Sequence, residues 1–143
     1  AHTGTFRGNQ LAMAAGTVVM NKVNTPDFLA EVVEKGEIFA KRIEELKAKV
    51  SIIGDVRGKG LMRGIEFIDP KSEADHLGTK KASGEIAAKV QKRCFENKLV
   101  MEKGGRNGAV MRCLCALNIT KEDLNKALDI IEKVVIEVDL EQK

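Results

Sequence analysis

The run Ser51-Ile52-Ile53-Gly54-Asp55-Val56-Arg57-Gly58-Lys59-Gly60-Leu61-Met62-Arg63-Gly64-Ile65-Glu66-Phe67-Ile68 reads as a β-hairpin. Ile52-Ile53 and Val56 mark one short strand, and Gly58-Lys59-Gly60 supplies residues that turn easily. Leu61, Ile65 and Phe67 then alternate with Gly64 and Glu66, the period of two that puts one face of a strand against a core. A hairpin of this kind needs something to cover its apolar face, and the flanking sequence is helical.

Upstream, Asn9 to about Val23 predicts a helix with Asn9 as its N-cap. Leu11-Ala12-Met13-Ala14-Ala15-Gly16-Thr17-Val18-Val19-Met20 has almost no polar face. A helix apolar on all sides is expected to be buried on all sides, more cover than a domain of 143 residues readily gives, so further protein mass is expected against it. Thr25-Pro26 restarts the chain, with Pro26 suited to the first helical position. The next helix is expected to run to about Val50, with Leu29, Val32, Val33, Phe39, Ile43, Leu46 and Val50 in a single stripe.

Downstream, Asp69 to Lys81 reads as a surface loop and Ala82 to Asn97 as a helix with Ile86, Ala87, Val90 and Cys94 inward. Leu99-Val100-Met101-Glu102 reads as a short strand, Lys103 to Gly108 as a turn and Ala109 to Leu117 as a buried strand. Thr120 caps the last helix, with Asp123 at the capping-box position; Leu124, Leu128, Ile131, Val135 and Val138 lie on its stripe. The fold class is therefore α/β, an α+β sandwich: a small, mostly antiparallel sheet with helices on one face.

Composition narrows the function classes. Hydrophobic residues make up 43% and charged residues 31%, with a net charge of +3, values expected of a soluble globular protein. No apolar run would span a bilayer. The opening Ala1-His2-Thr3-Gly4 has no leader pattern and no initiator Met, so a cytoplasmic protein, and a processed chain or a piece of a longer one, is expected. Basic residues interleave with acids, and Trp and Tyr are absent, which argues against a nucleic-acid partner. Cys94, Cys113 and Cys115 suit neither a disulfide framework nor a zinc site and are read as small buried residues; no metal is expected. His2 and His76 have no ligand-like neighbours.

Two places could carry chemistry. Gly4-Thr5-Phe6-Arg7-Gly8-Asn9 leads into a helix, where converging backbone N–H groups and the Thr5 hydroxyl could bind an oxyanion; an ordinary capping loop would look the same. Arg112 is the one charged residue in Ala109–Leu117. Its planar fork matches a carboxylate, although a structural salt bridge would also account for it. Gly105-Arg106-Asn107-Gly108 matches a GXXG string but lies between two expected strands, so it is read as a hairpin turn.

Three blocks carry a resemblance. Gly4-Thr5-Phe6-Arg7-Gly8-Asn9-Gln10-Leu11-Ala12, Asp55-Val56-Arg57-Gly58-Lys59-Gly60-Leu61-Met62 and Val110-Met111-Arg112-Cys113-Leu114-Cys115-Ala116-Leu117-Asn118-Ile119-Thr120 resemble, in order, segments of the class III (ω-) aminotransferases of pyridoxal-phosphate fold type I. Gln10 and Cys115-Ala116 depart from the family's usual prolines. The resemblance implies the carboxy-terminal small domain at 25–143, joined through a phosphate loop and helix at 1–24 to a large domain not represented in this sequence. It implies pyridoxal 5'-phosphate as cofactor, with Gly4 and Thr5 at its phosphate across a homodimer interface, and Arg112 on the carboxylate of an amino-acid or 2-oxo-acid substrate. It places the cofactor-bearing lysine upstream of Thr5, so no catalytic residue is assigned here and this stretch alone is expected to be inactive. Thr5-Phe6-Arg7-Gly8-Asn9-Gln10 is most similar to the diaminobutyrate branch of the family, implying glutamate and 2-oxoglutarate on one side and 2,4-diaminobutanoate and aspartate 4-semialdehyde on the other. The competing expectation is a free-standing carboxylate-binding or regulatory module without catalysis.

Overall fold

A computed structural model describes residues 4–143; Ala1–Thr3 lie outside the described residues, and with them His2 and the start of the expected 1–24 segment. The chain forms α1 (Gln10–Val23), α2 (Pro26–Lys47), β1 (Ile53–Lys59), β2 (Met62–Phe67), α3 (Gly84–Glu96), β3 (Glu102–Gly104), a 3-10 turn (Arg106–Gly108), β4 (Val110–Leu114) and α4 (Lys121–Leu140). The four strands lie in the order β1-β2-β4-β3, every neighbouring pair antiparallel. The sandwich expected from the sequence is the one observed.

Caps fix the helix starts. Asn9 Oδ1 accepts from Ala12 N, Ser83 Oγ from Ile86 N and Thr120 Oγ1 from Asp123 N, each satisfying an N–H that the first turn leaves without a partner. Thr25 behaves differently: its hydroxyl donates back to Lys22 O rather than capping α2. The fixed φ of Pro26 at the first position suits the helix start instead.

Helices α2, α3 and α4 cover one face of the sheet, where Phe39, Ile43, Ile65, Phe67, Met111 and Leu128 are all within 1% of full burial. Arg63 ties α2 to the hairpin turn: its Nε donates to Gly60 O at 2.8 Å, Nη1 to Gly58 O and Nη2 to Gly36 O, both at 3.1 Å. The approach is so close that a Cβ on Gly36 would sit 2.5 Å from Gly60 O. Lys35, only 5% exposed, donates to the Leu117 carbonyl and to Glu31 Oε2, each at 3.3 Å. Asp139, 2% exposed, accepts from Ser51 N at 2.6 Å and Ser51 Oγ at 2.7 Å, tying the end of α4 to the start of β1. Burial pushes the Asp139 pKa up, but the Ser51 hydrogen bonds, with Lys143 nearby, outweigh it and hold the carboxyl below its ordinary value.

Several expectations are corrected. The strand expected to be buried over Ala109–Leu117 spans only Val110–Leu114, and its outward positions are exposed. Met111 enters the core, while Arg112 and Leu114 face away from it, as a pleat one face of which is uncovered requires. The strand expected at Leu99–Glu102 begins only at Glu102. Lys98 takes a positive φ of 68°, and Gln91 Nε2 takes up the Met101 carbonyl at 2.8 Å, a partner from α3 rather than from the sheet. Helix α2 ends at Lys47, not Val50. Helix α1, expected to be buried on all sides, buries no residue. Its contacts within the described residues are chiefly with α2, and Leu11 and Val18 are 83% and 69% exposed. Among the described residues no helix is long and apolar enough to cross a membrane.

Candidate functional site

The uncovered face of the sheet holds the first candidate. Register places Arg57 of β1, Gly64 of β2, Arg112 of β4 and Glu102 of β3 in one row across all four strands. Directly opposed residues point to the same face, so two guanidinium groups stand on either side of a glycine.

The two arginines differ in their partners. Arg57 carries two acids: Nη1 lies 2.7 Å from Asp55 Oδ2 and Nη2 lies 2.6 Å from Glu66 Oε2. Its hydrogen bond to Asp55 holds that carboxyl below the usual carboxylate range, and the two acids together raise the pKa of Arg57. Arg112 has one partner among the described residues, Glu102, whose Oε1 accepts from Nη2 at 2.5 Å. The Arg112 side chain is 46% exposed and that of Glu102 52%. At this exposure the pair adds little to stability, so the arrangement is better understood as an accessible fork than as a fold-holding bridge.

Glycines keep the fork open. A Cβ on Gly104 would lie 3.1 Å from Arg112 Nη2 and 3.2 Å from Nε, so the guanidinium lies across bare backbone. On the other flank, Gly64 offers no side chain. On the helix-covered side of the same strands, Glu102 and Arg112 also border a cavity of about 340 Å³ whose other walls include Leu99, Met101, Cys113, Cys115 and Leu128. Burial, followed by the neighbouring Cys115, pushes the Cys113 thiol up to about 12, and burial in the core pushes Cys94 of α3 to about 11. Cys113 and Cys94 thus stay protonated near neutral pH and act as packing groups rather than nucleophiles.

The second candidate lies away from this row. Gly4 and Thr5 are exposed, in a turn closed by Arg7 N donating to Gly4 O at 3.1 Å. The Arg7 side chain folds back over Gly4, and a Cβ there would meet Arg7 Nε at 3.1 Å. Asn9 uses the Ala12 N–H, leaving the earlier amides of α1 pointing outward. Helices α2, α3 and α4 carry an acid in the first turn, and α1 carries none. The positive end of its dipole is thus not offset from within, and the Thr5 hydroxyl and Arg7 add donors that suit a phosphate. The Arg112 cavity takes no residue from this segment, so the described residues do not join the two candidates into one pocket.

Glu102, Gly104 and Arg7 are absent from the residues singled out by sequence. The Gly105–Gly108 turn alone would pair Glu102 with Met111; because Ala109 is also left out of the ladder and Gly104 pairs with Val110, Glu102 comes opposite Arg112. The GXXG string is that turn, a 3-10 turn joining β3 to β4, as expected for a hairpin.

Residues 1–135 match the family described as Aminotransferase class-III. The diaminobutyrate--2-oxoglutarate aminotransferase of Haemophilus influenzae is 40% identical over 136 residues, which are 95% of this chain and 30% of that protein. Among solved structures, acetylornithine aminotransferase from Elizabethkingia anophelis superposes with a TM-score of 0.74 at 28% identity, over 96% of this chain and 31% of the other. A transaminase from the marine bacterium Virgibacillus reaches a TM-score of 0.81 at 18% identity, over 99% of this chain and 32% of the other, a likeness of fold alone. The chain thus spans about 30% of the length of this curated relative.

Proposed function

Because the chain belongs to the class-III aminotransferases, a family that uses pyridoxal 5'-phosphate, we propose that it is the carboxy-terminal part of an enzyme that moves an amino group between glutamate or 2-oxoglutarate and an ω-amino acid. The relative named for diaminobutyrate and 2-oxoglutarate favours 2,4-diaminobutanoate and aspartate 4-semialdehyde as the second pair. In this reading residues 25–143 are the small domain, and residues 1–24 are an arm reaching toward a large domain and a second subunit of a homodimer.

The observation that carries the proposal is the half-satisfied Arg112 fork on an open sheet face. Arg112 binds the substrate carboxylate through the N–H groups that Glu102 leaves unused, and so turns the reacting carbon toward the cofactor. Gly4 and Thr5 bind the cofactor phosphate at the start of α1, where the missing first-turn acid and the nearby Arg7 suit a dianion. When bound, the cofactor supplies the electron sink that lets an amine be exchanged for a carbonyl. The lysine that carries it belongs to the large domain, so residues 4–143 bind and orient without supplying the catalytic base. The free-standing binding module has no such account of α1, whose apolar surface calls for cover.

Two variants of the full-length holoenzyme test this. Arg112→Ala is expected to raise the KM for 2-oxoglutarate by an amount worth on the order of 2–5 kcal/mol, and an unchanged KM would refute the clamp. Thr5→Ala is expected to weaken cofactor retention in equilibrium dialysis, and equal retention would remove Thr5 from the phosphate.

A further inference from the structure

We infer that Lys35 is a positioning residue for Arg112: by holding the Leu117 carbonyl it fixes the connection that leaves β4, and with it the direction from which the guanidinium meets a substrate carboxylate. The inference rests on the reading above that Arg112 holds that carboxylate.

Lys35 is the one buried cation among the described residues. Its Nζ donates to Leu117 O and to Glu31 Oε2, each at 3.3 Å, and the Glu31 side chain is itself 60% exposed. An ammonium taken out of water and met by one carbonyl and one wet carboxylate recovers little of its desolvation cost. An unbranched apolar side chain of similar length would fill the same space at lower cost, so packing alone gives no reason for a lysine here. What the lysine adds is a donor aimed at one point of the main chain, 82 residues further on.

That point lies just past the place where β4 loses its other support. Arg112 is the last residue of β4 with a sheet partner on both sides, Gly64 on β2 and Glu102 on β3. Cys113 and Leu114 pair only with β2, and the strand ends there. Between Leu114 and the start of α4 at Lys121, the connection makes one backbone hydrogen bond within itself, Ile119 N to Ala116 O at 3.0 Å. The Lys121–Glu34 pair beyond it is half exposed on both sides and adds little. Lys35 is thus the buried tie on residues 115–120, and Arg112 lies two residues from the end of the strand they continue. A fork that meets a carboxylate in two parallel hydrogen bonds loses strength with small changes of angle. Leu117 is exposed, so its carbonyl, once released, reaches water as the connection moves. Loss of the tie therefore shows in position rather than in stability.

The test is Lys35→Met in the full-length holoenzyme. The KM for 2-oxoglutarate is expected to rise about tenfold, within what a displacement on the order of 1 Å costs. The melting temperature is expected to stay level or rise, and cofactor retention in equilibrium dialysis to stay unchanged. In an Arg112→Ala background, Lys35→Met is expected to change the KM no further. Glu31→Gln, which leaves the bond to Leu117 in place, is expected to keep the wild-type KM. An unchanged KM in Lys35→Met overturns the inference. So does a rise that comes with a lower melting temperature and weaker cofactor retention, or a variant too unstable to assay, since either makes the lysine a general support of the fold. A rise that multiplies with that of Arg112→Ala puts the effect of Lys35 elsewhere, and an equal rise in Glu31→Gln assigns it to the ion pair; both overturn the tie. Arg112→Ala separates the two levels: if it raises the KM for 2-oxoglutarate while Lys35→Met does not, the carboxylate clamp stands and only the tie falls. If Arg112→Ala leaves 2-oxoglutarate untouched, the clamp fails and the tie fails with it.

Discussion

Helices α1 and α4 are both rich in apolar residues, yet α4 buries seven residues and α1 buries none. Helix α4 gathers Leu124, Leu128, Ile131, Val135 and Val138 on one stripe and keeps charges opposite, so the sheet and two helices satisfy it. Helix α1 spreads Leu11, Met13, Val18, Val19 and Met20 around its circumference, and all are more than half exposed. Amphipathic helices carry the direction of their partner in their own sequence. An all-apolar helix says only that it must be surrounded, and α2 alone cannot do that. An exposed apolar surface of this extent marks an interaction site.

The largest effect expected from this contrast is on stability. Leu128→Ala in α4 should cost about 2–5 kcal/mol of unfolding free energy, while Val18→Ala in α1 should change it by less than about 0.5 kcal/mol. Urea melts of residues 4–143 would measure both. A comparable loss from Val18→Ala would mean that α1 docks on this domain after all.

Next come the helical glycines. Gly36→Ala forces a Cβ to within 2.5 Å of Gly60 O and should destabilise by about 1–3 kcal/mol. Gly16→Ala in α1 meets nothing within 4 Å and should stabilise by about 0.5–1 kcal/mol in the same melts. If Gly16→Ala in the full-length protein is instead disruptive, another chain segment presses against that side of α1, and the contrast is sharpened.

The smallest effect is on pH dependence. The Asp139 carboxyl has a folded pKa below its ordinary value, so its stabilisation is fully present above the unfolded pKa of about 3.9. It is lost as pH falls through the folded pKa. Asp139→Asn should flatten the acid limb of a stability–pH curve, and an unchanged limb would show that the tie to Ser51 contributes nothing. Helix α1 has no comparable tie to the sheet.

The contrast also marks what the sequence made legible. The hairpin, the stripes of α2, α3 and α4, and the caps at Asn9 and Thr120 follow from period and local hydrogen bonding, which act over a few residues. The exposure within Ala109–Leu117 is not legible in the sequence because apolar residues crowd both faces of that stretch, and nothing local says that one face lacks cover. β3 begins later than its apolar run suggests, and the Met101 carbonyl goes instead to Gln91 of α3, ten residues away, a partner that local pattern does not reveal. Arg112 stood out as the lone charge in its strand. Glu102 did not, because its meaning comes from register across a turn, and Arg7 did not, because only the folded-back loop brings it to Gly4.

The two glycines that flank the Arg112 guanidinium have a further consequence. With no side chain at position 64 or 104, this surface is a plate rather than a cup. On the proposed role of Arg112, this face reads the charge of a substrate's head, and positions 64 and 104 add no side chain against which to gauge the length of its tail. On the same proposal, selection between chains one methylene apart is expected to come from whatever stands across the gap from the sheet, and exchanging this domain between relatives should alter preference for head groups while leaving chain-length preference with the other half.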